Sequence, residues 1–291
     1  MITLFAATLF SAAFSLIVRH AQLRRGNLWA VGAINYLVAA TFHLGRWWLA
    51  PASEVDLSTS LLGALGGVVY SGSYLLLLPL MQARGVSVST AILRLSIIIP
   101  VGLSIALWGE RPNVFQTLGA AVALVSLPLL AYRPGRAAEV APEGIASRRG
   151  PGLLLLGALF VGNGLCATTV RAFRQTNVPT QGALFLGILF GTAAVISFVA
   201  WLLNRRGTTG RDLLPGVLLG MCNALSNLAL LAALAQLPGV LVFPFQSALG
   251  LVIVALFARV TWHERILRSE AWGMALAIAA VVLINMGQTS S

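Results

Sequence analysis

The sequence predicts an all-α membrane protein of about ten transmembrane helices, built as two inverted five-helix repeats. Three observations predict it: an apolar composition with few charges, ten apolar stretches of spanning length, and a motif that returns at a fixed distance in the second half. Of 291 residues, 58% are hydrophobic and 9% charged, and the mean hydropathy is +0.89. Nineteen basic and eight acidic side chains cannot cover a water-soluble exterior of this size.

A helix needs about 20 apolar residues to cross the ~30 Å hydrocarbon layer. Such stretches fall at roughly 2–18, 28–49, 58–82, 86–108, 113–132, 151–170, 180–203, 212–236, 239–260 and 270–287. The first has no basic residue ahead of it and is followed by Arg19, His20, Arg24 and Arg25. A secretory leader has the opposite charge order, so 2–18 is expected to be a membrane helix.

Most connections are short. The exception is 133–150, RPGRAAEVAPEGIASRRG, with two Pro, three Gly, six charges and no apolar period. It reads as a polar linker. The expected organisation is therefore a first five-helix repeat at 1–132, the linker at 133–150, and a second repeat at 151–291.

The halves repeat. Trp108, Glu110, Arg111 and Gly119 recur 154 residues later as Trp262, Glu264, Arg265 and Gly273. The same offset carries Gly66 to Gly220, Leu80 to Leu234, Gln82 to Gln236 and Gly85 to Gly239, and an offset of 152 carries Val18 and Arg19 to Val170 and Arg171. Each half holds an odd number of spans, so the second copy enters the membrane from the opposite side. Inverted repeats of this kind are typical of secondary transporters, with the ligand site near mid-bilayer.

Charge excludes some functions and orients the chain. Every basic residue is arginine, and the arginines cluster in loops, as topogenic charge does; nucleic acid is not an expected partner. Fourteen of the nineteen fall after spans one, three, five, seven and nine, against Arg46, Arg111, Arg171 and Arg174 on the other side. That bias puts the first set in the cytoplasm and both termini outside; both termini inside is the alternative expectation. Cys166 and Cys222 lie within spans and form no metal pattern. A nucleotide-binding P-loop, an HExxH pair and a Gly-x-Ser-x-Gly turn are all missing, so no enzyme activity, cofactor or metal is expected.

Arg94 is the sharpest candidate for binding substrate. It sits about a third of the way into the fourth span, ~12 Å from its start at 1.5 Å per residue. Charges at depth face the bundle interior or water and mark function. The acidic residues Glu54, Asp56, Glu110, Glu139, Glu143, Asp212, Glu264 and Glu270 all lie in loops or at span ends. An anionic substrate group would supply a counter-charge, which the guanidinium fork clamps well. The lack of a membrane-buried carboxylate argues against a proton-coupled carrier of lipophilic cations.

The third span carries Tyr70, Ser71, Ser73 and Tyr74, and the eighth carries Asn223, Ser226 and Asn227. Asn223 and Asn227, like Tyr70 and Tyr74, are four apart and share a helix face. In lipid such groups turn inward, either to line a cavity or to join helices by hydrogen bonds. Asn35 and Tyr36 on span two, Asn163 on span six and Gln246 on span nine are further candidates of the same kind, while His43 is expected at the interface. The pairs Gly63 with Gly67, Gly187 with Gly191, and Gly216 with Gly220 predict close helix packing. Pro79, Pro100, Pro128 and Pro244 predict kinks. Glu110 and Glu264 are expected to fix helix exits rather than to bind substrate.

The segment RLSIIIPVGLSIALWGERP, 94–112, is similar to the fourth helix and its exit in the drug/metabolite transporter superfamily, EamA type. VFPFQSALGLVIVALF, 242–257, followed by His263, Glu264 and Arg265, resembles the matching ninth helix; His263 replaces the small residue usual before the glutamate. The resemblance covers nearly the whole chain. It implies a carrier of small metabolites, often an exporter of amino acids or related compounds, working by alternating access in a bacterial inner membrane. Other members of the superfamily are lipid-linked sugar flippases or their subunits, which is the runner-up expectation. The expected partners are a small-molecule substrate, anionic where Arg94 serves it, and membrane lipids.

Overall fold

The computed structural model describes residues 1–24, 26–50, 55–84, 86–131, 149–176, 181–204, 210–262 and 268–289. Most of the polar linker, at 132–148, and the second glutamate turn with His263, Glu264 and Arg265 lie outside the described residues, as does Glu54.

All the secondary structure among the described residues is helical. The order is α1 (Ile2–Leu23), α2 (Leu28–Trp48), α3 (Leu57–Arg84), α4 (Val86–Leu95), α5 (Ile98–Trp108), α6 (Val114–Ala131), α7 (Arg149–Thr176), α8 (Gly182–Leu203), α9 (Leu213–Ala233), α10 (Gly239–Trp262) and α11 (Arg268–Thr289). A 3₁₀ turn, Gly210–Asp212, leads into α9. Among the described residues seven helices are long and apolar enough to cross a membrane, and shorter apolar helices cover Ile92–Trp108, Val114–Leu127 and Ala271–Ile284. These are the helices of an integral membrane protein.

Two helices run past their expected ends. α1 continues to Leu23 and α7 to Thr176. Arg19, Arg171 and Arg174 therefore belong to helices, not loops. The fourth span is not one helix but two, α4 and α5, with a turn at Ser96–Ile97. Pro100 explains the break. It has no N–H to offer the Ser96 carbonyl one turn back. That carbonyl instead accepts the Ile99 N–H at 3.0 Å, a tighter bond than the α-helical one.

Polar side chains set the other helix ends. Asn27 Oδ1 accepts the N–H groups of Trp29 and Ala30 at the start of α2. Asp56 does the same for α3, accepting the Thr59 N–H and both the Ser58 and Thr59 hydroxyls. Asn113 and Gln116 form a reciprocal capping box at α6. α5 stops at Gly109, whose φ of 61° suits only a residue without Cβ.

The chain forms two compact units, each drawing on both halves of the sequence. The first comprises Met1–Leu75 and Thr169–Ala235. In it α2 packs on α8 and α9, and α1 on α9. Glycines allow the approach. Gly216 and Gly220 lie against Ile34, Val38 and the Asn35 carbonyl of α2; Gly63 and Gly67 lie against Phe185, Ile188 and Leu189 of α8. Gly187 meets Leu44, but Gly191 faces open space, so the expected third pair contributes one contact and not two.

The second unit comprises Leu76–Thr168 and Gln236–Ser291. Here α11 packs on α6, and α10 packs on α5, α6 and α11. Its core is Ala123, Leu127, Ala248, Val252, Ala277 and Ala280. Small side chains dominate because lipid supplies no hydrophobic drive between helices, so close van der Waals contact must.

Candidate functional site

The first unit holds a relay of amides and a phenol. Tyr70 Oη donates to Asn227 Oδ1 at 2.9 Å. Asn227 Nδ2 donates to the carbonyl and to Oδ1 of Asn223, at 3.0 and 2.9 Å. Asn223 Nδ2 donates in turn to Asn35 Oδ1 at 3.2 Å. Three helices, α3, α9 and α2, are thus joined by four side chains, of which helical spacing predicts a shared face for Asn223 and Asn227. Asn35 is fully buried, and its Nδ2 has no hydrogen-bond partner. An orphaned buried donor needs an acceptor from somewhere, usually water or a ligand.

Aromatic rings frame the relay. Tyr36 Oη donates to the Tyr70 carbonyl at 3.2 Å. Phe190 of α8 stacks on Tyr36 with centroids 6.2 Å apart and meets Tyr70 edge-on at 5.9 Å. Tyr74 lies edge-on to Tyr36, but its hydroxyl turns to the Leu28 carbonyl at 2.8 Å. Its ring occupies the space that Gly32 leaves by having no side chain. Tyr74 therefore joins the aromatic frame and not the relay. Ser226 hydrogen-bonds the Ala7 carbonyl, tying α9 to α1.

His43 departs from its expected interfacial position. It is fully buried, with its ring stacked on Phe190 at 5.7 Å. The helix-end count placed it near water, but α2 turns that face inward onto α8.

The second unit places Arg94 in the last turn of α4, partly buried, two residues before the break. The break is held by side chains. Ser96 Oγ donates to the Leu93 carbonyl at 2.7 Å. Asn163 of α7 donates through Nδ2 to the same carbonyl at 2.9 Å and to Ser96 Oγ at 2.6 Å. Gly164 lets α7 approach, lying against Ile99 and the Ser96 carbonyl. Asn163 thus supports irregular backbone beside Arg94. Gln246 lies on α10, partly buried. Glu110, expected to fix the exit of its own helix, serves the start of another: Oε1 and Oε2 accept the Gly239 and Val240 N–H groups at 2.9 and 2.8 Å, closing the N-terminus of α10.

Arg171 is the residue that sequence reasoning misplaced. It is only 7% exposed, in the extended end of α7. Among the described residues no three His, Cys, Asp or Glu side chains come together as a metal site.

No family model matches the chain. It is 21% identical, over 97% of its length and 96% of the relative's, to an uncharacterised protein of Haemophilus influenzae. It is similar in fold to a protein of known crystal structure at a TM-score of 0.78, with 16% identity, over 98% of this chain and 96% of that one. That likeness concerns the fold alone.

Proposed function

We propose that the protein is a secondary transporter of the EamA type in the drug/metabolite transporter superfamily, moving a small metabolite such as an amino acid across the bacterial inner membrane. The observation that carries the reading is the Asn35–Asn223–Asn227–Tyr70 relay, buried among membrane-length helices and ending in an amide donor with nothing to bond. Such a donor suits the carboxylate or carbonyl of a small polar solute. Within the second unit, and considered by itself, Arg94 is the candidate cation for an anionic group, beside a helix broken within the membrane. Discontinuous helices are a recurrent feature of transporter binding sites.

Helix pairing supports the inverted architecture. α2 and α8, α5 and α10, and α6 and α11 hold matching places in the two halves, and each pair packs together within its unit. A twofold axis relating upside-down copies brings matching helices together in this way. Counting α4 with α5 as one broken span, ten crossings result.

The test is counterflow of labelled amino acids into proteoliposomes, beside a lipid-scrambling assay for the flippase alternative. Solute counterflow without scrambling is expected. Arg94→Lys is expected to lower transport of an anionic solute about tenfold, ~1.4 kcal/mol, at intact expression, because the forked contact is lost. Unchanged transport in Arg94→Ala removes Arg94 from the site, and scrambling without counterflow overturns the carrier reading.

A further inference from the structure

A groove of about 680 Å³ opens beside α2 and α8 in the first unit. Its volume is that of a small-ligand site, but its lining has the wrong chemistry for a polar metabolite. The floor is made of small side chains, Ala30, Ala33 and Ala194. The rims are Leu37, Val195 and Phe198, which are 56%, 65% and 49% exposed. Ala30 to Leu37 and Ala194 to Trp201 each run ~10 Å along a helix axis at 1.5 Å per residue. The result is a long, shallow, apolar trough on a surface made of membrane-length helices.

Two basic residues lie in the segments next to one end of the trough. Gly210 and Leu213 line it there, and the exposed Arg211 lies between them in sequence. The Asn27 N–H donates to Asp212 Oδ1 at 3.1 Å, so the start of α2 sits against the start of α9. Arg24, exposed at the end of α1, is three residues before Asn27. The acidic group in this cluster, Asp212, is 3% exposed and engaged by Asn27. What the end presents outward is therefore positive. Tail and head requirements fall near one another: an apolar trough ~10 Å long, with two exposed arginines in the segments that lead to one end of it. Arginines near a membrane surface attract anionic lipid headgroups.

We propose that this groove is a binding site for one anionic phospholipid, with an acyl chain along α2 and α8 and the phosphate at Arg211 and Arg24. The site is distinct from the amide relay and does not depend on transport.

The test uses the full-length protein in nanodiscs containing either phosphatidylglycerol or phosphatidylcholine with a photoactivatable diazirine in one acyl chain. The expected result is adducts concentrated on residues 30–37 and 194–201, with phosphatidylglycerol favoured about tenfold. The double variant Arg24→Gln, Arg211→Gln should bring the two lipids to equal yield, because both arginines are exposed and their loss leaves the trough in place. Adducts spread evenly over other exposed helices, such as α11, overturn the proposal. So does equal labelling of the two lipids by the unaltered protein. A cross-linked dimer through the same two segments, without lipid adducts, identifies a second copy of the chain as the occupant instead.

Discussion

Asn227 is the pivot of the relay, because it both accepts from Tyr70 and donates to Asn223. Asn227→Leu removes three hydrogen bonds at once and leaves the Tyr70 hydroxyl facing an apolar side chain. Two of the three lie within α9 and one, from Tyr70, joins two helices; an interhelical hydrogen bond in lipid contributes roughly 0.6–1.7 kcal/mol. A loss of about 1–3 kcal/mol in thermal unfolding in detergent is expected, and a stability unchanged from the unaltered protein would show that the relay does not join the helices. Tyr70→Phe should cost less, since the amides still pair with one another. Glu110 makes a separate contribution. Its two oxygens satisfy two of the orphan N–H groups at the start of α10 and place negative charge at the positive end of its dipole. Glu110→Ala should destabilise by about 1–2 kcal/mol, while transport by the surviving folded protein persists. The pairing of Asn223 with Asn227 was legible in the sequence because four residues make one helical turn. The partner Asn35 was legible only as a polar residue in a span. Its contact depends on Gly220 admitting α2 closely, which no local pattern encodes.

Helices were the most legible elements, since apolar length alone marks a span. Their ends were less so. Charge usually ends a span, which puts Arg19 and Arg171 in loops by sequence; both lie inside helices, since long arginine side chains can keep their stems on apolar surface near a helix end. The break between α4 and α5 was half legible: Pro100 predicted a kink, whereas the full interruption also needs Asn163 of α7 to take up the Leu93 carbonyl. Pro100→Ala restores an N–H for Ser96 and should fuse the two helices, recovering part of the ~3 kcal/mol that an interior proline costs. Higher thermal stability with slower counterflow is the expected pair of results; faster transport would mean that the break is not a hinge. At the start of α3, hydrogen bonds from Ser58 and Thr59 hold the Asp56 carboxyl below its ordinary pKa of 3.8. A depressed folded value means that the cap stabilises α3 above that pH and is lost as pH falls through the lower value. Hydrogen exchange at the Thr59 amide should accelerate in that acid range, and in Asp56→Asn it should not.

At the scale of the whole chain, sequence halves and compact units do not coincide. Each unit combines helices from both halves of the sequence, α2 with α8 and α9 in one and α5 and α6 with α10 and α11 in the other. A repeat can be read from an offset of 154 residues, but which copies interleave is decided by packing of small side chains that recur throughout a membrane protein. Arginine placement adds orientation: fourteen of nineteen lie on the side expected to be cytoplasmic. Matched positions in upside-down copies must face opposite sides of the membrane. Val55 precedes α3 and Gly210 precedes α9, near the 154-residue offset, and both are exposed. Single cysteines at these positions, with Cys166 and Cys222 replaced by alanine, can be challenged in whole cells with a membrane-impermeant maleimide. Labelling at position 55 and protection at position 210 is the predicted result; labelling of both, or protection of both, would contradict the inverted repeat on which the transporter reading stands.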